Sequence, residues 1–168
     1  MKREVALAVL ERDEAWLLQL RDDLETILYP GHWGLFGGHL DPGETPSQAV
    51  HRELLEEIKW VPTTPLEHWF TNHNGLRVAH VFRGALTVPT EQLTLLEGQD
   101  LKLTSISELR QGSIWSDRRC EMRPIAPGLD QVIERLDAVI DQSVSPSNSS
   151  PHRWDPRQWS TPQVSSQG

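Results

Sequence analysis

The sequence predicts an α/β fold, a mixed β-sheet with helices packed on it, from three observations. A near-continuous apolar run, Val5 to Leu10, reads as a strand covered on both faces. Residues 45–58 carry a complete helix start signal, and residues 128–141 carry a second amphipathic helix. Between the two lie short strand-like segments separated by turn residues, with no internal repeat. A chain of 168 residues gives one domain plus at most a tail.

Taken in order, Val5 to Leu10 is the first strand. Glu11-Arg12-Asp13-Glu14 is a polar turn, and Ala15 to Leu20 is a second strand, which makes a hairpin. Residues 21–43 hold five glycines and two prolines and read as a long loop with room for one short strand. In the next helix Thr45 caps, Pro46 takes the first helical position and Gln48 completes a capping box. Further strands are predicted at 66–71, 77–87 and 101–106, and Val78, His80 and Phe82 give one of them a half-buried alternation. The final helix sets Leu129, Val132, Ile133, Leu136, Val139 and Ile140 on one side. Composition breaks at about residue 142. Residues 143–168 include eight Ser and four Pro with no period, too little apolar surface to offset the entropy of ordering them. The expectation is a domain at 1–142 and a disordered Ser/Pro-rich tail at 143–168. In the tail Trp154 and Trp159, flanked by Arg153 and Arg157, read either as a short docking motif or as unselected sequence.

The chain carries 24 acidic against 16 basic residues, a net charge of -8. That balance argues against a general nucleic-acid coat, which needs a basic surface. It leaves a phosphate ligand open, because a bound cation inverts the local field. Cys120 is the only cysteine, so no internal disulfide framework exists, and a reducing compartment fits. The run from Val5 to Leu10 is too short for a membrane span or a signal-peptide core. A cytoplasmic protein without a membrane partner is the expectation.

The helix at 45–58 also carries chemistry. Glu53, Glu56 and Glu57 fall within an arc of about 100°, while Val50, Leu54 and Ile58 lie around the opposite side. Crowded carboxylates repel by a few tenths of a kcal/mol per pair, so their concentration opposite an apolar stripe points to a held cation. Oxygen ligands favour Mg²⁺ or Mn²⁺ over zinc, and the seven histidines show no ligand spacing with a cysteine. The alternative is an ordinary solvated face. What favours the cation is the preceding segment, Gly37 to Glu44, whose three glycines and proline make a tight loop able to approach a metal closely.

The segment from Gly38 to Trp60 resembles the signature of the Nudix hydrolase family: Gly, five residues, Glu, seven residues, then Arg-Glu-apolar-any-Glu-Glu-any-Gly-apolar. Gly38, Glu44, Arg52, Glu53, Leu54, Glu56, Glu57 and Trp60 stand on its positions. Lys59 departs from it, where glycine would ease the chain out of the helix in a left-handed conformation that costs lysine about 1 kcal/mol. The resemblance implies a Nudix-like α/β/α sandwich and hydrolysis of a nucleoside diphosphate linked to another group, with Mg²⁺ as cofactor and Mn²⁺ as its substitute. It implies metal ligation by Glu53, Glu56 and Glu57 with the Gly37 carbonyl, and pairing of Arg52 with Glu53. Gly38, Gly43 and Glu44 would support the loop and helix; the plain alternative for Glu44 is compensation of the helix dipole.

Glu97, in a loop ahead of a predicted strand, is the candidate for a further ligand or the general base, with Asp100 as its rival; a polar turn is the alternative for both. Arg21, Tyr29, His32, Trp33 and Phe36 precede the signature and are candidates to contact phosphate or stack a base. Each also has a packing explanation. Phe36 stands where many nucleotide-cleaning relatives carry proline. His39 and His51 adjoin the site or are surface residues. The partner implied is a small nucleotide such as an oxidised dNTP, an NTP or a nucleotide sugar. A ligand-binding regulatory module without turnover is the alternative from another class. RNA 5′-end pyrophosphohydrolysis is a third reading, opposed by 14 basic against 23 acidic residues before Ser143. The fold is shared by an allylic diphosphate isomerase, yet no cysteine-centred site surrounds Cys120. Family members are often dimers, so a homodimer is compatible.

Overall fold

The computed structural model describes residues 2–144. The tail beyond them, with Trp154 and Trp159, lies outside the described residues. The elements are β1 (Arg3–Arg12), β2 (Ala15–Leu20), β3 (Trp33–Gly34), β4 (Phe36–His39), α1 (Pro46–Ile58), β5 (Glu67–Asn74), β6 (Arg77–Ala85), β7 (Asp100–Thr104), α2 (Ile106–Gln111), β8 (Ser113–Ser116), β9 (Glu121–Pro124) and α3 (Leu129–Val144).

The apolar run in β1 is explained by what lies above and below it. Side chains alternate across a strand, and Val9 joins a cluster with Trp16, Leu18 and Leu20 of β2, Leu109 of α2, and Leu129, Val132 and Leu136 of α3. Ala6, Ala8 and Leu10 join the other cluster, against Ala49, Val50, Leu54 and Ile58 of α1. The sheet is therefore covered by α1 on one face and by α2 and α3 on the other, an α/β/α sandwich. The small Ala6 and Ala8 side chains leave room for α1 to lie close to the strand.

Strand pairing opens the sheet where the chemistry sits. Strand β1 runs parallel to β6 from Arg3 to Glu11. It pairs with β2 only at the hairpin base, Glu11 with Trp16 and Arg12 with Ala15. Beyond that the two strands splay, and β2 continues with β7 on one side and β3 on the other. The segment 33–39 fills the gap, with β3 on β2 and β4 on β1, from Val5 opposite His39 to Ala8 opposite Phe36. The switch between partners falls at Leu35.

Several elements differ from the sequence reading. The loop at 21–43 contains both β3 and β4 rather than one short strand, because it fills both edges of the splay. The strand expected at 101–106 ends at Thr104, where Ser105 caps α2. Ser105 Oγ accepts from Glu108 N at 3.2 Å, and Ser105 N donates to Glu108 Oε1 at 3.1 Å. Helix α2 and the β8–β9 hairpin are elements that the sequence reading lacks, and α3 runs to Val144, past the compositional break at about residue 142. Among the described residues no helix is long and apolar enough to cross a membrane.

Candidate active site

Helix α1 starts as its sequence dictates. Thr45 Oγ1 accepts from Gln48 N at 3.1 Å, and Thr45 N donates to Gln48 Oε1 at 3.0 Å. Val50, Leu54 and Ile58 are buried on the sheet, which turns Glu53 and Glu57 toward β4 and leaves Glu56 exposed. Lys59 ends the helix at φ 53°, in the left-handed conformation, with its N–H on the Leu55 carbonyl at 3.1 Å.

Arg52 ties the loop to the helix. Its Nε and Nη2 donate to the two oxygens of Glu44 at 2.8 and 2.9 Å, and Nη2 also reaches the His39 carbonyl at 3.0 Å. Its Nη1 donates to Glu53 Oε1 at 3.1 Å and to the Glu56 carboxylate at 3.2 and 3.3 Å. Glu44 accepts a further bond from Asp41 N at 2.9 Å. Arg52 and that N–H together hold the Glu44 carboxyl down at about 2, and Glu44 in turn raises the Arg52 pKa.

The glycines ahead of α1 have structural causes. Gly37 sits at φ +139°, with Leu7 Cα 2.8 Å from where a Cβ would stand. A Cβ on Gly38 would lie 2.5 Å from Glu53 Oε1 and 2.6 Å from its Cδ, so the Glu53 carboxylate packs directly on that backbone. Gly43 makes a turn at φ +78°.

Glu57 is only 3% exposed. Its Oε2 accepts long bonds from Gly37 N at 3.3 Å and Gln19 Nε2 at 3.4 Å. Burial, with Glu53 and then Glu97 as like charges, pushes its carboxyl up to about 9 against the pull of the Gly37 N–H. Burial also raises Glu53, with Arg52 opposing. No Lys or Arg stands in ion-pair contact with Glu57 among the described residues, so this oxygen-only set suits a hard divalent cation. The set is not assembled, however. Among the described residues no three His, Cys, Asp or Glu side chains are grouped as a metal centre requires. Glu57 turns inward while Glu56 turns to Arg52 and solvent.

Gln19 shares this pocket and is not among the candidates that the sequence offers. It is 4% exposed in β2, on the α1-facing side with Leu17, and Nε2 also reaches the Leu35 carbonyl at 3.3 Å. An unsatisfied buried amide costs about 1–3 kcal/mol, so one polar residue inside the run Ala-Trp-Leu-Leu-Gln-Leu was the available signal.

The loop before β7 is pinned to the helix end and to β2. Thr94 N and Leu96 N donate to the carbonyls of Ile58 and Glu57 at 3.2 and 2.7 Å, and Gln99 N donates to the Leu20 carbonyl at 2.7 Å. Glu97 rides on it, exposed, close enough for its charge to raise Glu57. Asp100 does not share the site. It is buried with Oδ2 accepting from Ser116 Oγ at 2.7 Å and Arg118 N at 3.2 Å, so it braces the β8–β9 turn.

Of the residues ahead of the signature, Arg21 is half-buried at the end of β2, with Nε on the Leu28 carbonyl at 2.7 Å. Burial lowers its pKa against the charges of Glu57 and Glu97, which places it beside the acids. Tyr29 is half-buried, with its ring 5.9 Å from that of His32. Trp33 and Phe36 correct the expectation of substrate contact. Both are 0% exposed, Trp33 in the α3-side cluster with Nε1 on the Ile114 carbonyl at 3.0 Å, and Phe36 in the α1-side cluster. Strand alternation sends the two rings to opposite cores, Trp33 with Leu35 to one and Phe36 to the other. His51 lies against the Ser47 carbonyl of its own helix at 2.6 Å, and His39 is exposed.

A family model described as the NUDIX domain matches residues 1–121 of this chain. The chain belongs to the NUDIX family. A similar relative, Nucleoside triphosphatase NudI of Escherichia coli O1:K1 / APEC, is 36% identical over 58 residues, which are 34% of this chain and 40% of that protein. The chain thus spans well under half the length of the curated relatives it matches. Among solved structures, the MutT protein of Methanosarcina mazei Go1 has a TM-score of 0.63 at 19% identity, covering 83% of this chain and 95% of that one. The NUDIX domain of Shewanella oneidensis NrtR, complexed with ADP ribose, has a TM-score of 0.62 at 21% identity, covering 83% and 89%. Both likenesses show the fold. In this NUDIX protein α3 lies beyond the matched residues, yet its Leu129, Val132 and Leu136 complete one of the two cores.

Proposed function

We propose that this NUDIX protein is a divalent-metal-dependent pyrophosphohydrolase that cleaves the diphosphate bond of a nucleoside diphosphate linked to another group. The substrate class is a small nucleotide: an oxidised dNTP, an NTP or a nucleotide sugar. The observation that carries this reading is Glu57, a buried carboxyl beside Glu53 and Glu97 with no Lys or Arg in ion-pair contact among the described residues. Glu53, Glu56 and Glu57, with the Gly37 carbonyl, are the groups that would hold Mg²⁺ or Mn²⁺. Such an ion, when bound, supplies charge neutralisation on phosphate oxygens and an acidified water.

The chain's own residues do the rest. Arg52 aligns Glu53 and Glu56 from behind and keeps the Gly38 loop against the helix through Glu44. Arg21, beside Glu57 and Glu97, is the cation for a phosphate oxygen. Glu97 is the general base or a further ligand. The name of the NudI relative supports a nucleoside triphosphate among the substrates. A cytoplasmic setting agrees with the single, exposed Cys120 thiol.

A hydrolysis screen with Mg²⁺ and then Mn²⁺ tests the proposal across NTPs, dNTPs, oxidised dGTP, ADP-ribose, dinucleoside polyphosphates and nucleotide sugars. Turnover of one class is expected, falling about a hundredfold or more in Glu57→Gln, since even indirect partners of metal ligands cost 10–100-fold. One observation favours a second reading, ligand binding without turnover: the three helix carboxylates do not converge. Tight metal-dependent nucleotide binding with no hydrolysis of any compound would establish it instead.

A further inference from the structure

We propose that Gln19 is a positioning residue of this site, fixing the Glu57 carboxylate between the β3–β4 switch and the loop that carries Glu97. The inference rests on the hydrolase reading above and adds to it a residue outside the signature segment. Three elements meet at this one amide. Its Nε2 reaches Glu57 Oε2 at 3.4 Å on α1 and the Leu35 carbonyl at 3.3 Å, where the chain changes strand partner. Its oxygen faces the Glu97 loop, lying 3.1 Å from where a Cβ on Gly98 would stand. Gly98 itself, at φ +94°, donates to Asp22 Oδ2 at 3.3 Å and is held within close approach of the Leu20 carbonyl.

The amide therefore does something that an apolar residue at the same place would not. Gly37 N and Gln19 Nε2 both act on Oε2 of Glu57, at 3.3 and 3.4 Å, so two neutral donors from different strands fix the position of that oxygen. Neither donor introduces a charge that would compete with a cation for it. The same side chain lies between Glu57 and the Glu97 loop, which backbone bonds from Leu96 to Glu57 and from Gln99 to Leu20 hold in place. The Glu53 carboxyl is also in hydrogen-bond reach of Glu57, but it is a like acid and not a fixed neutral donor.

The test compares wild type with Gln19→Met, which keeps length and volume but has no donor, and Gln19→Asn, which keeps a neutral amide one methylene short of Glu57. Turnover of the best nucleotide, KM, the Mn²⁺ dissociation constant by calorimetry and Tm are read for each. The expected result for Gln19→Met is kcat lower by about tenfold or more, Mn²⁺ binding weakened several-fold, KM within about twofold, and Tm close to wild type. Gln19→Met with wild-type kcat and Mn²⁺ affinity would overturn the proposal, as would losses that only track a fall in Tm. If Gln19→Met does not fold, kcat of Gln19→Asn decides: a loss with Tm close to wild type supports the proposal and retention overturns it. Wild type that binds Mn²⁺ but hydrolyses nothing removes the hydrolase reading alone, and the Mn²⁺ comparison then decides the role of Gln19.

Discussion

The Arg52 guanidinium spreads its donors over Glu44, Glu53, Glu56 and the His39 carbonyl, all between 2.8 and 3.3 Å. A flat fork is needed for this, because two of those bonds reach the two oxygens of one carboxylate. Lysine at this position keeps the charge and loses the fork. Arg52→Lys is therefore expected to retain the fold while Glu53 and the Gly38 loop lose their registry. A kcat lower by about tenfold or more, with Tm within a few degrees, would be the signature in parallel kinetics and thermal melts. Unchanged kcat would mean that Glu53 is held by packing on Gly38 alone. Gly38 matters to the same acid, because a Cβ there would displace the Glu53 carboxylate from its seat on the loop backbone.

Helix α1 was legible from sequence because what makes it is local. Thr45, Pro46 and Gln48 form its start within four positions, and its apolar stripe repeats at helical spacing. Its exit was legible too, as Lys59 does adopt the left-handed conformation that the missing glycine implied. Lys59→Gly is expected to stabilise the protein by about 1 kcal/mol, a rise in Tm of about 2–4 °C for a chain of this size. Differential scanning calorimetry reads this directly, and an unchanged or lower Tm would show that the αL exit is not strained. Helix α2 carried a similar signal, Ser105 with Glu108 at N3, but its brevity hid it behind the strand pattern before it. The rest was hidden for a different reason. Trp33 and Phe36 look like ring donors in a glycine-rich loop, and only the splay between β1 and β2 decides that both are buried. Gln19 belongs with them, since its partners Leu35 and Glu57 lie 16 and 38 positions away. Local chemistry thus revealed the acids, and non-local strand pairing set which neighbours they meet.

For the whole molecule the acids of the site turn pH into stability, and their signs differ. Glu44 is held at about 2, below its ordinary 4.5, so its contribution is present above 4.5 and is lost as pH falls through about 2. Glu57 runs the other way. Its carboxyl is raised to about 9, so the folded state favours the proton, and its contribution is complete below 4.5 and is lost as pH climbs through about 9. Glu53, also raised by burial, adds to the same slope. Between pH 5 and 9 the metal-free protein is therefore expected to lose stability with rising pH, by up to about 1.4 kcal/mol per pH unit for each proton held. A divalent cation takes the ionised carboxylate, so its binding releases a proton, and the stabilisation it confers grows with pH. Thermal melts of wild type and Glu57→Gln from pH 5 to 9, with and without Mg²⁺, check this together. The expected pattern is a falling Tm in metal-free wild type, a flatter profile in Glu57→Gln, and a Mg²⁺-induced rise that is largest at the alkaline end and nearly absent in the variant. A Tm independent of pH in metal-free wild type would mean that Glu57 is ionised without a cation, and the electrostatic case for a metal at this helix would fall with it.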